Sequence, residues 1–164
     1  MKPNVKYKDM GLKALVENTK VLKELGVLVG YIPPMAAVDH GGINMATLAA
    51  IMEYGTDDIP ARPFLSSFYR EYANQIKELW STETSKVYMK KKDPLEAVTD
   101  VAKGMASLAL KRFDTASAWA IPLDPKTVER KGSSTPLVDT GALRAHLGWA
   151  VTKKRSIVRF GRAE

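Results

Sequence analysis

With 164 residues, an apolar share of 45% and a net charge of +7, the chain has the size of one domain, able to bury roughly 70% of its unfolded surface without covalent staples. It contains no cysteine, which excludes disulfides, thiolate nucleophiles and thiolate metal sites and fits a reducing compartment. No run approaches the roughly 18 apolar residues of a membrane-spanning helix, and the opening "MKPNVKYKDM" puts charge and proline where a secretory signal needs its apolar segment, so neither membrane insertion nor export is expected.

Apolar residues at Leu12, Leu15, Val16, Leu22 and Leu25, with Thr19 in register, repeat close to the 3.6-residue period and predict a first amphipathic helix from about Asp9 to Leu25, stopped by Gly26. "VLVGYI", Val27 to Ile32, is short, β-branched and aromatic, and the two prolines that follow end it, so it predicts a buried strand. "MAAVDHGGIN" reads as a flexible loop. Asn44 can then cap a short helix that gathers Leu48, Ile51 and Met52, and Gly55 closes it where a left-handed backbone is needed.

After "IPARPFL", the residues Leu65, Phe68, Tyr72, Ile76, Leu79, Trp80 and Val87 predict one long helix ending near Lys90 to Lys92. Its antiparallel mate starts at Asp93 as cap with Pro94 at the first helical position and Glu96 nearby, and presents Leu95, Val98, Val101, Met105, Leu108 and Ala109. Residues 116–139 hold Pro122, Pro125 and Pro136, a "KGSS" tract and no sustained period. They predict a long extended loop, of the kind that serves as an arm or a lid. Asp139 or Thr140 can cap a brief helix over Gly141 to His146, and strands at about Gly148 to Lys153 and Ser156 to Phe160 form a terminal hairpin around a basic turn. The expected fold class is therefore α+β: a small, mainly antiparallel sheet packed against an N-terminal helix and a long helical hairpin, in one domain.

From Asp124 onward nine basic residues face four acidic ones, so this last quarter holds five of the seven excess positive charges. Such a surface could face nucleic acid, an acidic partner or solvent. Catalytic readings are weaker. His40 beside Gly41-Gly42 has Asp39 next to it but no ligand cluster, and a metal site needs three or four ligands; His146 lies in a short amphipathic turn and reads as a surface or interface residue. Glu53 and the Asp57-Asp58 pair read as caps and solvated charge rather than as a general acid and base. "KGSST" lacks the spacing of a phosphate loop. No catalytic, cofactor-binding or metal-ligating residue is assigned, and no enzyme activity is expected.

Two strings remain, "AAIMEYGTDDIPARPFL" and "IPLDPKTVERKGSSTPLVDTGALRAHLGWAV". In the first, Gly55 permits a positive φ, Pro60 and Pro63 stiffen the exit, and Arg62 can reach back to Glu53 or Asp58 with a forked, charge-assisted pair, fixing where the helix after Phe64 starts. In the second, Asp139 or Thr140 caps the turn, Gly141 allows close approach, Arg144 is presented one turn on, and Leu137, Val138 and Leu143 pack inward.

In this order, and separated by a helix pair, the two strings resemble the neck and tail-completion proteins of long-tailed bacteriophages, a virion-morphogenesis family. The match runs from about Thr47 to Val151, with His146-Leu147 where the family usually shows Ser-Ile. The resemblance implies a structural virion protein, made in the host cytoplasm and assembled into the neck or tail, that joins the head connector to the tail as a homo-oligomeric ring, hexameric or dodecameric. Its partners would be the connector or stopper and the tail terminator or tube proteins, with passive contact to DNA in the channel. The 126–136 loop would be an arm toward a neighbour. Glu53, Arg62, Phe64, Asp139, Gly141 and Arg144 become the candidate structural or interface residues. The alternatives are a tail-tube terminator and a nucleic-acid-binding accessory protein that uses the basic C-terminal quarter.

Overall fold

In the computed structural model, residues 11–132, 134–137 and 140–164 are described. The chain order is α1 (Leu12–Glu24), β1 (Leu25–Gly30), a short 3-10 turn (Met35–Ala37), β2 (Asp39–His40), β3 (Ile43–Asn44), α2 (Met45–Tyr54), α3 (Phe64–Glu71), α4 (Ala73–Tyr88), α5 (Pro94–Asp114), α6 (Ala116–Trp119), α7 (Pro125–Lys131), α8 (Ala142–His146), β4 (Gly148–Lys153) and β5 (Ser156–Arg162). Strands β1, β4 and β5 form an antiparallel sheet in the order β1-β4-β5, and β2 pairs with β3 in a separate two-stranded ribbon. The fold is α+β, with the sheet packed against helices.

Helix α5 organises the molecule. Asp93 caps it by accepting from the amides of Leu95 and Glu96, at 2.8 and 3.3 Å, and Pro94 fills the first turn, where no amide partner is needed. Its small residues Ala102 and Ala106, together with Val98, are fully buried against Trp149 and Val151 of β4. On its other side Val101, Met105 and Ala109 meet Phe68, Tyr72 and Ile76 from α3 and α4. The register pairs Val27 with Val151 and Val29 with Trp149, so alternation along the strands points these residues toward α5 and leaves Leu28, Ala150 and Phe160 on the opposite face.

Several expectations change. The stretch after Phe64 is two helices, because Tyr72 adopts φ −104° and ψ 21° between α3 and α4. Its ring is buried beneath the Lys111 ammonium, 5.6 Å from the ring centroid. Phe68, Tyr72 and Ile76 keep a four-residue spacing through the break, and neither proline nor glycine marks it. Leu25 and Gly26 belong to β1 rather than to the end of a helix, with no linker between α1 and the strand. The first helix presents much of its apolar stripe to solvent, since Leu12 is 62% exposed and Leu15 and Val16 are also exposed. The expected start of that helix at Asp9 lies outside the described residues. The glycine pair 41–42, both at positive φ, closes the β2–β3 ribbon, so the segment read as a flexible loop has regular structure.

Residues 116–139 are not extended throughout. Helices α6 and α7 interrupt them, and Asp124 caps α7 through the Lys126 amide at 2.9 Å, with Pro125 in the first turn and Gly132 at φ 67° closing it. The segment folds back on the molecule. Trp119 donates its indole N–H to Arg112 O at 2.9 Å, and the Arg112 guanidinium lies 4.1 Å from the ring centroid. Ala116, Ala120 and Leu137 are buried in the core.

The close approach of β4 to α5 predicts that Ala106→Leu, which forces a larger side chain into this layer, destabilises the fold by about 1–3 kcal/mol. Urea unfolding followed by far-ultraviolet circular dichroism should show a lower midpoint with an unchanged slope.

Candidate functional site

The two sequence strings build one structural node. At the end of α2, Gly55 has φ 76°, and a Cβ there would lie 2.7 Å from both the Ala61 nitrogen and the Ile59 oxygen. Only glycine fits this corner. The Thr56 hydroxyl accepts from the amides of Asp58 and Ile59, while the Thr56 amide donates to Ile59 O at 2.8 Å. The chain is thus folded back before Pro60, leaving Asp57 and Asp58 exposed at its tip.

Glu53 is buried, and its carboxylate accepts from the amides of Leu65 at 2.8 Å and Ser66 at 2.9 Å. Those amides open α3 and have no partner within the helix; a carboxylate there also meets the positive end of the helix dipole. The expected Arg62 pairing with Glu53 or Asp58 is therefore corrected: Glu53 is occupied by α3. The buried Arg62 guanidinium instead donates from Nε to Ile121 O at 3.0 Å, from Nη1 to Pro60 O at 3.3 Å and from Nη2 to Pro122 O at 3.4 Å. Burial lowers its pKa from the ordinary arginine value. The side chain ties the corner to the segment after α6, and the rigid donor fork suits three carbonyls converging from two strands of chain.

Phe64 is almost wholly buried and meets Tyr31 and Phe113 edge-on, at centroid separations of 6.3 and 5.4 Å. Leu137 and Leu143 join the same cluster. The Tyr31 hydroxyl donates to Leu143 O at 2.9 Å, and burial raises its pKa well above the usual tyrosine value. Both strings therefore close on a single core around Phe64 and Phe113.

The second string turns at Gly141, φ 77°, and the Thr140 hydroxyl accepts from the Ala142 amide at 3.3 Å. Asp139, the alternative cap, lies outside the described residues, as does Val138. Arg144 makes a forked pair with Asp114 at the end of α5, Nε to Oδ1 at 2.6 Å and Nη2 to Oδ2 at 2.9 Å. The hydrogen bonds from Arg144 hold the Asp114 carboxyl below its usual range and raise the guanidinium's own pKa. Tyr31, Phe113 and Asp114 were missed by sequence reasoning, since each acts through a partner distant along the chain.

His40 is half-buried in β2, beside a cleft lined by Leu48, Leu143 and Lys131. His146 Nδ1 lies 2.8 Å from Ala142 O. The Asp57-Asp58 pair is exposed at the tip of the corner. Among the described residues, no three His, Cys, Asp or Glu side chains group to hold a metal ion.

Compared with known proteins, the chain matches no family model, no curated protein and no solved structure.

Two outcomes follow from this geometry. Glu53→Ala should cost about 1–3 kcal/mol by orphaning the first amides of α3, and Glu53→Gln, which keeps an acceptor, should cost less in the same thermal denaturation series. For Arg144→Gln the loss should be up to about 1 kcal/mol, the scale of a solvent-exposed pair. Because the pair depresses the folded-state pKa of Asp114, its stabilisation is present above the unfolded carboxylate pKa and lost as pH falls through the folded value. The stability difference between wild type and Arg144→Gln should therefore be full at neutral pH and vanish in acid.

Proposed function

We propose that the chain is a structural virion protein of a tailed bacteriophage, a neck or tail-completion ring component that joins the head connector to the tail. The observation that carries this reading is the convergence of its two resemblance strings. Phe64 of "IPARPFL" and Leu137 and Leu143 of "PLVDTGALR" share one cluster, while Glu53, Arg62 and Arg144 are committed to holding corners in place. In this reading the residues that give the strings their character serve shape: they fix the angles between elements that a ring subunit presents to its neighbours.

A ring follows from the sixfold symmetry of such tails, which requires head-to-tail contacts that close. Mass measurement and negative-stain imaging of the purified protein, alone and mixed with connector and tail proteins, test it. A six- or twelve-membered annulus is expected; particles that stay monomeric under every condition, partners included, would overturn the reading.

A second reading, nucleic-acid binding, is favoured by the stretch Lys153 to Arg162, which holds five basic residues and no acid. A DNA binder must lose affinity steeply as salt rises, so a gel shift over a salt series separates the two.

A further inference from the structure

Two exposed patches of matched and opposite composition lie toward opposite ends of α5. The first is the corner after α2. Tyr54 is 81% exposed, Asp57 and Asp58 are exposed at the turn beside it, and Ile121, whose carbonyl is held by Arg62, is 53% exposed. Arg130 and Lys131 line the same cleft as Asp58. Among the described residues, however, neither Asp57 nor Asp58 forms an ion pair. The second patch is the tip of the β4–β5 hairpin and the outer face of the sheet beside it, with Leu28 of β1 48%, Ile157 42% and Phe160 51% exposed. Lys154 and Arg155 are exposed at the hairpin turn and Arg162 is exposed two residues beyond Phe160 on β5, whereas Arg159 pairs with Val151 on the face toward α5. Glu24 holds Lys154 at 3.2 Å and Lys153 more loosely at 4.0 Å, leaving Arg155 and Arg162 without an acidic partner among the described residues. Strand β5 is an edge, bonded only to β4, and such edges accept further contacts.

The hairpin sits by the first half of α5, where Arg159 Nη1 donates to Thr99 Oγ1 at 3.2 Å. The corner sits beyond the other end, past Phe113. At 1.5 Å per residue, Thr99 and Phe113 are about 20 Å apart along the helix, so the two patches of one molecule are held away from each other by a rigid element. Between molecules they complement one another: an aromatic and acidic knob against an apolar and basic plate, with tyrosine and arginine as the residue types that anchor interfaces best.

We infer that the Tyr54–Asp58 corner of one copy docks on the outer face of the β4–β5 hairpin of the next. The contact joins two different patches and is therefore heterologous, the type that closes into rings or runs on into filaments. It rests on the ring reading above and names the surfaces that would build it. DNA is the competing occupant of the plate, but Phe160, Ile157 and Leu28 give a phosphate backbone nothing to bind, whereas they suit Tyr54 and Ile121.

The test uses the full chain, with one variant at each patch: Asp57→Lys with Asp58→Lys, and Lys154→Glu with Arg155→Glu. All four side chains are exposed, and unchanged thermal melting checks that folding is intact. In sedimentation velocity, wild type should self-associate and each variant should associate at least tenfold more weakly. An equimolar mixture of the two variants should regain assembly, because one contact is intact and the other is restored with its charges exchanged. Tyr54→Ala should weaken association without altering its salt dependence. Wild-type rings with both charge variants assembling equally well would overturn this contact and leave the ring reading standing. A wild type that is monomeric in every condition, connector and tail proteins included, would overturn both. Loss of salt-dependent DNA binding in Lys154→Glu with Arg155→Glu, with association unchanged, would assign the plate to nucleic acid and overturn the inference.

Discussion

The fold depends on the closeness with which the sheet lies on α5. Ala102 and Ala106 have no exposed surface, and the side chains they receive are Trp149 and Val151, among the bulkiest of β4. Large residues on the strand facing small ones on the helix let the two layers interdigitate at interior packing density. The same helix gives Val101, Met105 and Ala109 to the cluster under α3 and α4, and Phe113 to the cluster closed by the two characteristic strings. One element thus contributes to all three clusters. Gly104 belongs to this economy, since a Cβ there would come within 2.9 Å of Leu79 Cδ1.

Polar groups are used differently at the two ends of α5. Near its start, Lys92 bridges Glu83 of α4 and Asp100, with Lys86 also on Glu83, binding the α4–α5 hairpin where it turns. Desolvation opposes ionisation of Glu83, but the hydrogen bonds from Lys86 and Lys92 outweigh it and hold the carboxyl below its usual range. Near its end, Asp114 stands at the negative pole of the helix, a place unfavourable to an acid, and Arg144 compensates it while fixing α8. Arg62 and Glu53 do comparable work through backbone groups rather than through each other, which is why a forked pair between them, plausible from spacing, does not form: each already satisfies orphaned peptide groups, and a buried amide left without an acceptor costs more than an alternative pairing returns.

Local signals were legible in the sequence and long-range ones were not. Asn44 accepts from the Thr47 amide at 2.8 Å, Asp93 caps α5, and Gly55 turns the corner, all as side-chain chemistry within a few residues requires. The terminal hairpin turns at Lys154 and Arg155, both at positive φ, and alternation identified its strands. Helix α7 has the same aspartate-proline start as α5, but its body, "KTVERK", offers Val128 as its only large aliphatic side chain, so no period exposed it. The break at Tyr72 is set by packing against α5 and leaves no mark in composition. Of the candidate residues, Phe64 and Arg144 could be named, but Phe113 and Asp114 could not be given as their partners, because the contacts form only once α5 has brought distant segments together.

Trp149 links the rim of the sheet to its interior. Its indole lies against Gly161, where an added Cβ would meet Cζ2 at 2.7 Å, and its N–H is donated to Arg162 O at 3.1 Å. The Lys103 ammonium from α5 stands 5.9 Å from the ring centroid. The most exposed strand is thereby fastened to the most buried layer by one rigid plane of atoms, and a side chain at position 161 would prise that plane from its seat. Any displacement of β5 has a direct mechanical route through the indole to the helix at the centre of the molecule.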